Sequence, residues 1–213
     1  ANLSIRRAQI RARLDKYVLM VVSQMILALL MVWLMWESVA QNDVLCWLGV
    51  LYSAHFLELY FWWRYRQQLR TVQDCLRWRT RFLIFTCLTG AVMGSAGVVM
   101  FVPQDIAYQA LLIAIMLGLS AGAVTINPVY PVAMYLYTLF IIAPIAITTA
   151  LVGDQVHSLL AVMLLLYLTF ILHTGYELAR TFSSFLQGSE DNAALVVQLL
   201  AEQKSADEAR CAA

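Results

Sequence analysis

The sequence predicts an all-α fold, a polytopic membrane bundle of six transmembrane helices. Both termini are expected on the cytoplasmic side, with the last helix running on into a cytoplasmic linker. Three observations lead there. The 213 residues are 62% hydrophobic and only 13% charged, where a soluble domain carries about 25% charged residues. Mean hydropathy is +0.74. Six apolar stretches reach the roughly 20 residues that a spanning helix needs, and every lysine and arginine falls on one side of them.

The elements follow in chain order. Residues 1–16 set Leu3, Ile5, Ile10 and Leu14 among Arg6, Arg7, Arg11 and Arg13, the pattern of a basic amphipathic helix lying on an anionic leaflet. The apolar run behind it is too long for a signal-peptide core and lacks a small-residue cleavage site. Spans are expected at residues 17–36, 45–63, 82–102, 106–125, 132–151 and 156–178. The links at 37–44, 64–81, 103–105, 126–131 and 152–155 are short enough to make neighbouring spans antiparallel. With the N-terminus inside, all fourteen basic residues lie inside: five before span one, six between spans two and three, and Arg180, Lys204 and Arg210 after span six. The outer links hold Glu37, Asp43, Asp105 and Asp154 and no base, which is the positive-inside pattern. Trp33, Trp36, Trp62, Trp63 and Trp78 fall near the expected interfaces. In the link 64–81, Leu69, Val72, Leu76 and Trp78 interleave with charge, again suiting a membrane surface.

The tail, 179–213, changes chemistry. It has no proline, one glycine (Gly188), and many helix-favouring residues. Helix is therefore expected to continue from span six to Ala213, where no cap or stop signal stands, as if leading into a further domain. A heptad phase through Phe182, Phe185, Ser189, Asn192, Val196, Leu199, Gln203 and Ala206 would suit a parallel homodimer, with Asn192 fixing register. A solvated single helix is the other reading.

The tail also carries a resemblance. Residues 178–210, LARTFSSFLQGSEDNAALVVQLLAEQKSADEAR, with Asn192, Leu195, Val196, Leu199, Leu200, Glu202, Lys204, Ala206, Glu208 and Ala209 at the matching positions, resemble the linker of bacterial hybrid sensor histidine kinases. Residues 118–128, GLSAGAVTINP, look like span four of the same six-span sensory modules. Related modules precede diguanylate cyclases, and the layout is similar to that of the quorum-sensing autoinducer kinases. The resemblance implies the bacterial inner membrane and a small apolar signal. It also implies an output domain that would bind ATP and Mg²⁺; this chain needs no cofactor of its own. Neither His157 nor His173 stands in a context that resembles a phosphorylation site, so no catalytic residue is carried over.

Within the spans, ionisable groups are costly and hence functional candidates. His55 and Glu58 lie three apart in span two; His173 and Glu177 lie four apart in span six, with Tyr176 beside them. These pairs could line a polar pocket or form a proton-sensitive contact between spans two and six, or could simply glue helices together. Gly90, Gly94 and Gly97 in span three, and Gly118 and Gly122 in span four, are spaced for close helix packing. The uncharged link with Asn127 and Pro128, together with Pro144 in span five, could shape a kinked wall beside a ligand cavity, or a plain tight turn. Cys46, Cys75, Cys87 and Cys211 match no metal pattern, and no nucleotide-binding or hydrolase motif is present. A net charge of +1 gives no case for nucleic acid. A sensory input module is therefore the leading expectation. A small permease is its rival, because of the intramembrane pair and the prolines. An intramembrane enzyme lacks an acid–base constellation, and a plain membrane anchor stays open.

Overall fold

The computed structural model describes residues 3–65, 72–126 and 131–212. These form six α-helices and, among the described residues, no strand: α1 (Leu3–Met35), α2 (Gln41–Tyr65), α3 (Val72–Val99), α4 (Ile106–Ile126), α5 (Pro131–Val152) and α6 (Gln155–Ala212). All six are long and apolar enough to cross a membrane, which makes this a multi-pass membrane protein.

Local chemistry accounts for the boundaries. No glycine or proline interrupts residues 3–35, so α1 is continuous where a separate interfacial helix over 1–16 was expected. α2 begins earlier than its apolar run, at Gln41, and has Asp43 in its first turn and Arg64 in its last. Those charges complement the ends of the helix dipole. α3 stops at Val99, short of Pro103, whose missing N–H could not continue a helix. Asp105 then caps α4, its Oδ1 accepting from the Ala107 N–H at 2.9 Å. Between α5 and α6, Gly153 takes φ +80°, a conformation that glycine adopts without strain. The link with Asn127 and Pro128 lies outside the described residues.

α5 is the centre of the bundle, packed on α3, α6 and α4. Its buried residues include Met134, Tyr137, Ile141, Ile145 and Thr149, spaced three and four apart. The glycines of α3 let that helix come close. A side chain at Gly90 would stand 3.0 Å from the Tyr137 ring, and one at Gly97 2.7 Å from Ile145 Cβ. One at Gly94 would collide with the Phe140 carbonyl. Phe140 is four residues before Pro144, which has no N–H to give that carbonyl. The oxygen Pro144 leaves free is the one facing Gly94. Gly175 of α6 makes a similar close approach, against Met134.

The shared core is unusually rich in methionine: Met31, Met35, Met93, Met100 and Met116 are fully buried in it. Unbranched thioethers fill irregular gaps between helices. The outside is apolar as well. Leu159, Leu165, Leu166 and Phe170 of α6, Trp33 of α1 and Ile147 of α5 are all exposed. Such a surface suits hydrocarbon, not water.

Candidate functional site

The ionisable pair of α2 is buried inside the bundle. His55 and Glu58 are 1% and 3% exposed. One helical turn sets His55 Nδ1 at 3.2 Å from Glu58 Oε2. His55 Nε2 is buried and has no hydrogen-bond partner among the described residues. An unpaired buried N–H is more expensive than a bare ring nitrogen. The fitting tautomer therefore carries its proton on Nδ1 and donates it to Glu58.

Glu58 also forms part of the wall of a cavity of about 180 Å³ that five helices share. Its polar side is Ser23 and Gln24 of α1, Glu58 of α2, Thr86 and Thr89 of α3, and Tyr137 of α5. Gln24 Nε2 donates to the Tyr137 hydroxyl at 2.7 Å, and Thr89 spends its hydroxyl on the Phe85 carbonyl at 2.8 Å. The opposite side is Met20 and Leu27 of α1 and Leu119 and Ala123 of α4. Gly118 and Gly122 complete it. An apolar cavity of about 150 Å³ admits benzene, so this space suits a molecule of that order with one polar end. A smaller hollow on the far side of Glu58 is lined by Tyr17, Trp62, Arg81 and Phe82. Tyr17 stacks on Trp62 there at 6.5 Å.

Two expectations are corrected here. Gly118 and Gly122 do not pack against a helix: nothing lies within 4 Å of a side chain built at either. Their bare face opens on the cavity. Nor do spans two and six share a polar contact among the described residues. α2 packs on α1 and α3, and α6 on α5 and α4. His173, Tyr176 and Glu177 are exposed, and His173 and Glu177 form no ion pair among the described residues. Pro144 lies in α5 but is not part of the cavity wall.

α4 separates the cavity from α6 and is bonded to the latter. The Tyr167 hydroxyl donates to the Leu117 carbonyl at 2.9 Å and lies 2.8 Å from the Ser120 hydroxyl. At the far end of the two helices, His157 is 4% exposed and reaches two partners. Its Nδ1 lies 2.6 Å from Asp154 Oδ2 and its Nε2 lies 2.9 Å from Gln109 Oε1. Gln24, Tyr137, Tyr167 and Gln109 escaped the sequence reading, and His157 was weighed there only as a phosphorylation site. For the glutamines and the histidine the one signal was a polar residue inside an apolar run; the partners across the bundle are 47 to 113 residues away.

Fold and cavity together describe a six-helix membrane bundle with a small, partly open cavity among five of its helices. No protein-family model, curated protein or solved structure matches the chain.

Proposed function

We propose that this bundle is the membrane sensor domain of a two-component sensor histidine kinase in the bacterial inner membrane, with both termini cytoplasmic. A small molecule with an apolar body and one polar group occupies the five-helix cavity, its polar group facing Glu58, Gln24 and Tyr137. α6 carries the resulting shift to a dimeric cytoplasmic output domain, where ATP and Mg²⁺ would act. The observation that supports this best is the placement of α4. One face walls the cavity through Gly118 and Gly122, and another is hydrogen-bonded to α6 through Leu117, Ser120 and Tyr167. An occupant pressing on α4 therefore presses on α6, and a ligand shifts an equilibrium by as much as it favours one packing over the other. α6 runs 58 residues, about 87 Å at helical rise, far beyond the roughly 30 Å of hydrocarbon. The kinase assignment rests on the tail's resemblance, and the cytoplasmic placing of the termini on the one-sided basic residues.

A chimera tests it. Residues 1–213 are joined in helical register to a histidine-kinase core and reconstituted in lipid vesicles with ATP and Mg²⁺. Gly122→Leu, which fills the cavity, is expected to fix autophosphorylation at one level. Benzyl alcohol, a probe of the right size, should change the unsubstituted chimera and not the filled one. If output ignores both changes and equals that of the same core on an unrelated membrane anchor, the sensor reading is wrong. The buried His55–Glu58 pair beside the cavity is the feature a permease would share. Solute counterflow in proteoliposomes, abolished by Glu58→Gln, would establish transport in its place.

A further inference from the structure

We propose that Asp154, His157 and Gln109 form a second site, one that binds a proton and fastens the start of α6 to α4. It stands apart from the cavity and does not depend on what the cavity binds.

Its geometry asks for a hydrogen on each ring nitrogen. His157 Nδ1 faces a carboxylate oxygen of Asp154 at 2.6 Å, which only accepts. His157 Nε2 faces the side-chain amide of Gln109 at 2.9 Å. That amide has a nitrogen end and an oxygen end, and its other contact decides which faces the ring. Gln109 Nε2 donates to the Val102 carbonyl at 2.8 Å, a bond the oxygen end cannot make. The oxygen end therefore faces His157, and both ring nitrogens must donate. The imidazole itself is buried.

The surroundings present an acceptor to each ring nitrogen. From its own element and the turn before it, the facing group is Asp154, whose Oδ1 also accepts the His157 backbone N–H at 2.7 Å. That N–H and then the ring hold the Asp154 carboxyl below the usual carboxylate range. From the link before α4, Phe101 meets the ring edge-on at 6.2 Å. From α4, the titratable groups near Gln109 are Asp105 and Tyr108. Asp105 is already committed to capping its own helix, at 2.9 and 3.3 Å from two backbone N–H groups. The last turn of α5 holds no ionisable residue, and no lysine or arginine occurs between Arg81 and Arg180. The ring thus meets one carboxylate and one amide oxygen, and no competing cation.

The site is complete while Asp154 is ionised and His157 is doubly protonated. Removing one ring proton leaves a bare nitrogen against an amide oxygen, two acceptors face to face, and α6 loses its hold on α4 at that end.

Histidine-selective ¹⁵N spectroscopy of the full chain in lipid nanodiscs tests this, because the chain has only three histidines. His157 is assigned by the signal that His157→Gln removes. At about pH 6 both of its ring nitrogens should carry hydrogen, and at about pH 9 only one should. In parallel, the unfolding temperature of the wild type should fall between those values, and that of His157→Gln should not follow it. A single ring N–H at the lower pH overturns the proposal, as does an equal pH response of the two proteins. Should His157→Gln fail to fold, Gln109→Leu supplies the assignment through the shift it causes, and the wild-type spectrum still decides.

Discussion

Gly94 and Gly118 look alike in the sequence, since each belongs to a glycine pair four residues apart in an apolar helix, Gly90 with Gly94 and Gly118 with Gly122. They should behave in opposite ways. A methyl group at Gly94 meets the Phe140 carbonyl, a backbone atom that cannot move without disturbing α5. Gly94→Ala is therefore expected to destabilise the bundle by about 1–3 kcal/mol. Gly118→Ala adds its methyl to open space and removes a flexible glycine from a helix, which should stabilise by about 0.5–1 kcal/mol. Unfolding in mixed micelles measures both, and equal effects would contradict the close approach of α3 to α5. Glu58 allows a similar comparison. Glu58→Leu strips the buried His55 Nδ1–H of its acceptor, a loss of about 1–3 kcal/mol. Glu58→Gln keeps an acceptor oxygen in place, so the glutamine variant should be the more stable of the two in the same assay.

Elements show where sequence stops being sufficient. The six spans were legible because lipid demands long apolar runs whatever the packing. The His55–Glu58 pairing was legible because three residues fix one helix face. What the glycines do was not legible. Only the close approach of α5 to the glycines of α3, and the open space beside those of α4, distinguishes a packing stripe from a cavity wall. Span six misled for a related reason: His173 and Glu177 could meet by spacing, but both lie on the outer face of α6. The helix is instead tied to α4 by Tyr167, which looks like any aromatic residue in a membrane span. Tyr167→Phe removes the hydrogen bond to Leu117 and is expected to weaken the bundle by about 0.5–1.5 kcal/mol. It should also blunt the chimera's response to benzyl alcohol, since α4 would then press on α6 less directly. Asp154 adds a dependence on acid. Its carboxyl titrates lower when folded, so its contribution is present above the usual carboxylate range and is lost as pH falls through the lowered value. Asp154→Asn should remove that acid-side fall in unfolding temperature while leaving the cap largely intact.

Taken as a whole, the molecule divides its exposed apolar surface between two solvents. Most of it belts the bundle, where lipid covers it. Under the proposed topology a second patch does not: Leu195, Val196, Leu199 and Leu200 of α6 are all more than half exposed. Leu195 stands 40 residues beyond Gln155, about 60 Å along the helix, and so well past a hydrocarbon layer of roughly 30 Å. Apolar side chains grouped in water call for a partner. Within the proposed sensor, that partner is the same helix of a second copy, because Asn192, Val196, Leu199 and Gln203 follow one another at four, three and four residues, as along a coiled-coil seam. The seam makes a positional prediction. In a variant with its four cysteines replaced, Leu199→Cys lies on the seam. Ala194→Cys lies five residues earlier, about 140° round the helix. Mild oxidation in membranes should link two copies several-fold more efficiently through position 199 than through 194. Equal yields would mean random collision and would remove the parallel dimer. A strong preference for 199 would place two output helices side by side, as a shift of α6 relative to α4 requires if it is to be felt across the pair.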